Sequence, residues 1–161
     1  MSKIRNKTIL SLILLFSVLA LIAAYFIEHV LKHQPCNLCL IERIPYFFSV
    51  IFILIFLFTK KFEKPILIIL SLIFFFATLI AFYHFGIEQG FFEESVVCDL
   101  NNKSNNLSKQ ALLNQLKTMP VSCKDITFKI FGLSLATFNI FISLTLSVIT
   151  IKLFLTYEKN R

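Results

Sequence analysis

Four long blocks without Asp, Glu, Lys or Arg constrain this chain more than any other feature of its sequence. They cover residues 8–27, 44–59, 65–87 and 130–151. A helix needs roughly 20 apolar residues, with a range of about 17–25, to cross the hydrocarbon of a bilayer. The second block reaches that length as 40–59, with Glu42 and Arg43 at the interface. Because backbone groups in lipid must bond internally, the sequence predicts an all-α membrane protein with a four-transmembrane-helix bundle.

Composition excludes an ordinary soluble domain, since 57% of the residues are hydrophobic and only 16% are charged. Soluble domains carry about 25% charged residues. The first block follows Lys3, Arg5 and Lys7, as a signal peptide would. A cleavable signal has an apolar run of about 7–15 residues and a small-x-small site. This run has 20 residues and Ile22-Ala23-Ala24 matches poorly, so we interpret 8–27 as a retained membrane helix.

The basic residues predict how the chain is oriented. Nine of the 16 Lys and Arg residues lie in three short segments, 1–7, 60–64 and 152–161. Short basic loops stay in the cytoplasm, so both termini are expected there. The outer loops are then 28–39 and 88–129, within a single membrane domain of residues 1–161. The net charge of +7 therefore indicates topology, with anionic lipid head groups as its partner, and no nucleic acid is expected.

The second outer loop contains one segment with helical spacing. Within 108–119, apolar residues stand at positions 112, 113, 116 and 119, and Ser108 is a suitable N-cap. Such a short amphipathic helix can lie on the membrane surface with its apolar side down. Packing against the loop's own residues explains the pattern equally well.

All four cysteines fall in the predicted outer loops, as Cys36 and Cys39 in the first and Cys98 and Cys123 in the second. An even number of cysteines outside fits an oxidising compartment. Two structural disulfides are one interpretation, and a four-thiolate metal site is another. The 24 residues between the second pair and the oxidising face argue against metal. A CxxC pair closes too small a ring to act as a staple, so its value is chemical exchange.

The CxxC pair follows Pro35, where the second helix is expected to begin, so exposed N–H groups would stabilise a thiolate. Arg43 lies four residues after Cys39, on the same helical face and one turn deeper. It is either a topology anchor that snorkels and pairs with Glu42, or a cation that stabilises the Cys39 thiolate and a bound redox partner. The offset from the CxxC pair favours the second interpretation.

His84 falls near the outer end of the third helix. It is either an ordinary interfacial histidine or a hydrogen-bonding partner for a ligand at the depth of Arg43.

Together these residues resemble the DsbB family of membrane disulfide-generating proteins. The matching features are His29-Val30, Pro35-Cys36-Asn37-Leu38-Cys39, Glu42-Arg43, His84, and the Cys98 and Cys123 pair before Phe131-Gly132-Leu133. The resemblance spans essentially the whole chain, and the P-C-x-L-C-x-x-E-R string is far more specific than a bare CxxC.

The resemblance implies a quinone-dependent protein thiol oxidase of the bacterial inner membrane. It would keep a soluble, periplasmic DsbA-like thioredoxin-fold protein oxidised and pass the electrons to ubiquinone or menaquinone. In that scheme Cys98 forms the mixed disulfide with the partner and Cys123 is its disulfide mate. Cys36 exchanges with that loop pair, and Cys39 faces the quinone.

By the same resemblance, Arg43 and His84 belong to the quinone pocket, and Arg43 steadies negative charge there. The alternative is a four-helix structural or interaction protein with two structural disulfides. A relay like that of vitamin K epoxide reductase also uses four helices and a CxxC, but there the CxxC comes late in the chain. Here it opens the second helix.

Overall fold

The computed structural model describes residues 2–59, 62–93, 123, 129–130 and 132–159. Its elements are α1 Ser2–His29, α2 Asn37–Ile41, α3 Ile44–Thr59, α4 Glu63–Glu88, β1 Lys129–Ile130, β2 Leu133–Ser134 and α5 Leu135–Lys159. Four segments in this part of the chain are long and apolar enough to cross a membrane: Asn6–His29, Asn37–Thr59, Glu63–Glu88 and Leu135–Lys159. The predicted four-helix membrane architecture is confirmed. The segment 108–119 and Cys98 lie outside the described residues.

The bundle is packed inside and apolar outside. Helix α4 packs most extensively against α5 and α1 packs against α3, while α3 also contacts α4. The buried core comprises Leu10, Ile13, Tyr46, Ile53, Phe56, Ile66, Leu67, Leu70, Phe74, Leu146 and Leu153. Each spanning helix also exposes large apolar side chains, among them Leu12, Phe58, Phe76 and Phe141. Such a surface is compatible with lipid and not with water, so the exposed side chains are the lipid-facing side of the bundle.

The second span is interrupted where the sequence requires it. Helix α2 ends at Ile41, and a two-residue turn of Glu42 and Arg43 precedes α3. Pro45 has no N–H to donate to the carbonyl of Ile41, and its ring would crowd that carbonyl. The Arg43 N–H accordingly bonds one residue short, to Leu40 O at 3.2 Å. The break turns the Glu42 side chain into the bundle, where it is 8% exposed.

The last span begins later than its apolar block suggests. The strands β1 and β2 form a two-residue hairpin, with Lys129 opposite Ser134 and Gly132 at a positive φ of 82°. Ser134 then caps α5, since its Oγ accepts the Thr137 N–H at 3.3 Å. The helix therefore starts at Leu135 rather than residue 130 and continues to Lys159. The hairpin residues after Lys129 carry no charge, which is why the uncharged block 130–151 extends beyond the start of the helix.

The end of the bundle that holds the α3–α4 turn carries its own polar contacts. Asn6 donates from Nδ2 to Glu63 Oε1 at 3.0 Å, and both side chains are buried. Lys64 pairs with Glu158 at 2.7 Å on the exposed surface. These contacts join α1 to α4 and α4 to α5 at the end opposite the CxxC pair.

Candidate functional site

The CxxC pair lies at the start of the second span. Cys36 is the N-cap of α2, and its Sγ accepts the Cys39 backbone N–H at 3.3 Å. Cys36 is buried and Cys39 is half-buried, both are free thiols, and their sulfurs lie 2.8 Å apart. The predicted placement of the pair at a helix mouth agrees with this geometry. The Cys36 sulfur is the one that accepts a hydrogen bond from the first turn of the helix.

His84, from α4, reaches the same sulfur. Its Nε2 lies 3.5 Å from Cys36 Sγ, and its Nδ1 donates to Glu42 Oε1 at 2.7 Å. The imidazole is only 3% exposed. The carboxylate holds the proton on Nδ1 and leaves Nε2 free to accept one, which is how a buried histidine becomes an oriented base. His84 is therefore positioned to take the proton of the Cys36 thiol.

Cys36 is the acidic member of the pair. It stands just before the span Asn37–Thr59, and its pKa falls from 9.0 to about 4. The hydrogen bond from the Cys39 side chain is the largest cause, and the bond and charge of His84 add to it against the opposing effect of burial. A thiolate at Cys36 is thus favoured at neutral pH, which makes this sulfur the more nucleophilic one in exchange.

A hydrogen-bonded chain connects Glu42 to the last helix. Asn139 of α5 donates from Nδ2 to Glu42 Oε2 at 2.8 Å. The Tyr46 hydroxyl donates to Asn139 Oδ1 at 2.5 Å and lies 3.3 Å from Ser143 Oγ. Both carboxylate oxygens of Glu42 are therefore engaged, one by α4 and one by α5. The chain fixes Glu42, and through it the ring of His84, relative to the CxxC pair.

Arg43 pairs with Glu28 and not with its sequence neighbour Glu42. Its Nη1 donates to Glu28 Oε2 of α1 at 2.5 Å, and its guanidinium carbon lies 5.2 Å from the centroid of the Tyr25 ring. The expected alternative pairing with Glu42 is wrong, because Glu42 points inward to His84 and Asn139. Arg43 nevertheless lines the same cavity as Cys39.

A cavity of about 410 Å³ opens beside these groups between α1, α3 and α5. Its apolar walls include Ala20, Ala23, Ala24, Ile27, Phe138 and Ile142, and small alanine side chains leave the space. Its polar lining includes Cys36, Cys39, Glu42, Arg43, Tyr46, His84 and Asn139. A mostly apolar pocket of a few hundred Å³ with a few convergent polar groups is typical of a small-molecule site.

Cys123, which lies in sequence between α4 and β1, comes to the same place. It is buried, disulfide-bonded and packed in a small apolar cluster with Cys36, Leu38 and Ile87. It also lines the cavity that both CxxC residues line. The structure thus brings three of the four predicted cysteines together.

Two members of the site escaped sequence reasoning. Tyr46 and Asn139 both lie inside apolar blocks, where neither was considered. A signal was present for Asn139, since it is the only side-chain amide in 130–151 and polar groups inside a span are costly unless they are bonded. Nothing comparable distinguishes Tyr46, because tyrosine is common near membrane interfaces. Glu42 was part of the motif but had no assigned role in the site.

The fold and the site define a multi-pass membrane protein with a reactive dithiol at the mouth of an apolar cavity. A family model described as disulfide bond formation protein DsbB matches residues 6–153. The chain therefore belongs to the DsbB family, whose members are membrane disulfide oxidoreductases that act with a thiol–disulfide partner.

The chain is also similar to a protein of Rickettsia prowazekii (strain Madrid E) named uncharacterized protein RP370. The two are 28% identical over 160 residues, which cover 98% of this chain and 92% of the relative. The likeness therefore extends over both proteins almost end to end.

Proposed function

We propose that this protein is a quinone-dependent protein thiol oxidase of a bacterial inner membrane. Its substrate would be the reduced dithiol of a periplasmic DsbA-like thioredoxin-fold protein. One observation carries the proposal: Cys36 packs in one cluster with the buried, disulfide-bonded Cys123 and lines the same mainly apolar cavity. A sulfur in that position could receive electrons from the Cys123 disulfide and pass them to an acceptor in the cavity.

The exchange steps balance in pairs of electrons and protons. The partner's two thiols become a disulfide while the Cys98–Cys123 disulfide becomes two thiols. Cys98 itself lies outside the described part of the chain. The loop thiols then reduce a Cys36–Cys39 disulfide and recover their own bond. Each transfer passes through attack of a thiolate on a disulfide sulfur. The Cys36–Cys39 dithiol finally holds two electrons and two protons that must leave.

Proton removal falls to His84 in this proposal. Its Nε2 faces Cys36 Sγ at 3.5 Å, and Glu42 stabilises the imidazolium formed when the proton arrives. Asn139 keeps the Glu42 carboxylate in position from the other side. General bases of this kind contribute typically about 10²–10⁴-fold to a rate.

The cavity fits a quinone head group by its chemistry. Its walls are mainly apolar, as a ring with a lipid tail requires, and its polar groups gather next to the dithiol. Arg43 and His84 would hold it, with Tyr46 and Asn139 as further hydrogen-bonding groups on the lining. When bound, a quinone supplies the two-electron oxidising capacity that returns Cys36 and Cys39 to a disulfide.

The basic residues support an orientation with the dithiol in the periplasm. In the sequence, Lys60 and Lys61 fall between α3 and α4, and Lys64 is the second residue of α4. Helix α4 begins at the end of the bundle opposite Cys36. Basic turns of this length stay in the cytoplasm.

The direct test uses the full chain reconstituted in lipid vesicles with a quinone and a reduced thioredoxin-fold dithiol. We expect quinone-dependent oxidation of that dithiol by the wild-type protein and none by Cys36→Ser or Cys39→Ser. Full turnover by the double variant would refute the proposal.

A trapping experiment identifies the partner-facing cysteine. With Cys123→Ser, the Cys98 thiolate attacks the disulfide of the added oxidised partner, whose other sulfur leaves as a thiol, and the resulting mixed disulfide is trapped by acid quenching and alkylation. The attached protein is then identified by mass spectrometry. An adduct at Cys36 instead of Cys98 would reverse the proposed order of exchange.

A further inference from the structure

We propose that the reduced site is also a binding site for a soft divalent cation such as Zn²⁺, held by Cys36, Cys39, His84 and Glu88. The two thiols and the imidazole offer ligand atoms that all lie within 4.8 Å of one another. Two thiolates and one imidazole form a donor set that zinc prefers. The proposal concerns the thiol form of the pair, in which both sulfurs have free lone pairs.

The distances around His84 match a tetrahedral centre. For Zn–S and Zn–N bonds of usual length, sulfur and nitrogen ligands lie about 3.6 Å apart, and nitrogen and oxygen ligands lie about 3.4 Å apart. The observed Cys36 Sγ to His84 Nε2 distance is 3.5 Å. The His84 Nε2 to Glu88 Oε1 distance is 3.7 Å. Cys36 and His84 therefore need little movement, whereas Glu88, which is close to His84 but outside the group of three whose ligand atoms all lie within 4.8 Å, must move closer to the sulfurs.

Cys39 is a ligand that must also adjust. Its sulfur lies 2.8 Å from that of Cys36, whereas two thiolates on one zinc stand about 3.8 Å apart. The difference of about 1 Å is within reach of a side-chain rotation. Cys39 is half-buried and so less tightly packed than Cys36 or His84.

Two further observations point to a cation. Glu88 Oε2 is buried without a hydrogen-bond partner among the described residues, and the side chain is only 6% exposed. A buried carboxylate oxygen without a hydrogen-bond partner is costly, and a metal ion bound at His84 would satisfy it. In addition, His84 already donates its Nδ1 proton to Glu42 at 2.7 Å, which is the arrangement that orients a metal-binding histidine.

Binding depends on the oxidation state of the pair. A Cys36–Cys39 disulfide has no thiolate to offer, so the cation binds only the reduced pair and displaces the protons that remain on Cys39 and on the hydrogen-bonded Cys36–His84 pair. No electron moves in this step. If the proposed oxidase function holds, the bound cation occupies both sulfurs and stops turnover until it is removed. The binding itself does not depend on that function.

The test is a titration of the reduced, full-length Cys98→Ser/Cys123→Ser protein in detergent with Co²⁺, the coloured substitute for zinc. We expect one equivalent to bind, with the sulfur-to-cobalt absorption and the d–d bands of tetrahedral coordination, and zinc to bleach both. The oxidised protein should show neither band. Octahedral cobalt spectra, or equal binding by both oxidation states, would overturn the proposal.

Variants separate this site from chelation by the dithiol alone. Outer-shell partners of metal-binding histidines contribute about 10–100-fold to affinity, so Glu42→Gln should weaken binding by that factor. His84→Ala and Glu88→Gln, which remove ligands, should weaken it at least as much. Glu28→Gln, in the same cavity but outside the ligand set, should leave the titration unchanged. Unchanged affinity in His84→Ala and Glu88→Gln would refute the four-ligand site.

A second measurement covers a failure of the double serine variant to fold. The reduced wild-type protein is alkylated with and without zinc, and each cysteine is quantified by peptide mass spectrometry. Zinc should slow modification of Cys36 and Cys39 at least tenfold. Equal modification with and without zinc would contradict binding there, whatever the outcome of the activity assay.

Discussion

The two ends of this bundle each bury a carboxylate that accepts a hydrogen bond from an asparagine amide. At one end Asn139 donates to Glu42 at 2.8 Å, and at the other Asn6 donates to Glu63 at 3.0 Å. Both pairs join helices that are distant in sequence. In a membrane interior, such interhelical bonds contribute about 1 kcal/mol to packing. As contacts, the two pairs are nearly the same.

Their neighbours differ. The other carboxylate oxygen of Glu42, Oε1, accepts a hydrogen bond from His84, and His84 in turn faces the Cys36 sulfur beside a cavity. Glu63 has no sulfur, no histidine and no cavity of this kind among its described contacts. Asn6 Oδ1 is buried and has no hydrogen-bond partner among the residues that the structure describes. The comparison teaches that a buried carboxylate–amide pair joins helices at both ends and serves chemistry only where it orients a base.

The largest contrast is expected from the sulfur itself. Cys36→Ser should reduce quinone-dependent thiol oxidation below detection, because no disulfide can form at the helix mouth. Glu63→Gln, at the opposite end, should retain turnover. Both are measured in the same vesicle assay, and residual turnover in Cys36→Ser would show that another thiol carries the electrons.

The second-largest effect is expected from removal of the base, His84. His84→Ala should lower the rate of electron release from the dithiol by roughly 10²–10⁴-fold, since a positioned general base is lost. The loss should shrink as the pH rises, because hydroxide and bulk base replace the imidazole. A rate defect of the same size at every pH would indicate that the ring only packs the site.

The acidity of Cys36 predicts a pH-dependent stability. The pKa of this thiol falls from 9.0 to about 4 on folding, so ionisation of Cys36 stabilises the folded protein. The contribution is complete above about pH 9, the pKa of the thiol in the unfolded chain. That stability declines as the pH falls from about 9 to about 4, and it is absent below. The difference in Tm between the reduced wild type and Cys36→Ser should therefore narrow on acidification.

Alkylation gives an independent measure of the same group. Because the thiolate is the nucleophile, modification of Cys36 should be nearly constant above about pH 5 and fall about tenfold per pH unit well below pH 4. Its rate at each pH is followed by peptide mass spectrometry. A midpoint near pH 9 would contradict the acidic assignment.

The same substitution at Asn139 and at Asn6 is a matched test of the two ends of the bundle. Asn139→Ala and Asn6→Ala each leave a buried carboxylate short of one donor, at a cost of about 1–3 kcal/mol. Similar losses of stability are expected in detergent unfolding. Only Asn139→Ala should also reduce turnover, by about tenfold for each 1.4 kcal/mol of lost positioning. A turnover defect of equal size in both variants would erase the distinction between the two ends.

The smallest effect is expected at the surface pair Lys64 and Glu158. Their side chains are 39% and 54% exposed, and exposed ion pairs contribute about 0.2–1 kcal/mol. Glu158→Gln should change the unfolding midpoint only slightly and leave turnover unaltered. A large loss of stability would mean that this contact orders the α4–α5 end of the bundle.

Hydropathy and motif spacing were sufficient to predict that four spans exist and that the dithiol lies at the start of the second one. Uncharged length alone requires helices in lipid, and Pro35 with the CxxC spacing placed Cys36 at a helix start, where it caps α2. These features are local in sequence. They depend on no knowledge of which helices touch.

Contacts between helices could not be obtained in this way. Arg43 pairs with Glu28 across α1, and Asn139 reaches Glu42 from 97 residues away. Both contacts depend on how the helices rotate and cross, which the pattern of one helix does not determine. The start of α5 was missed for a different reason, since hydropathy does not separate an uncharged hairpin from a helix. Its cap at Ser134 was the available signal.

The central claim is that electrons leave the protein through Cys36 and Cys39 toward a lipid-dissolved acceptor. The most direct measurement reduces the reconstituted protein in the absence of any soluble partner, removes the reductant, adds one pulse of quinone, and quantifies each thiol by alkylation and mass spectrometry. The account predicts that Cys36 and Cys39 change from two thiols to one disulfide at the expense of one quinone. If both stay as thiols while the quinone remains oxidised, the claim is contradicted.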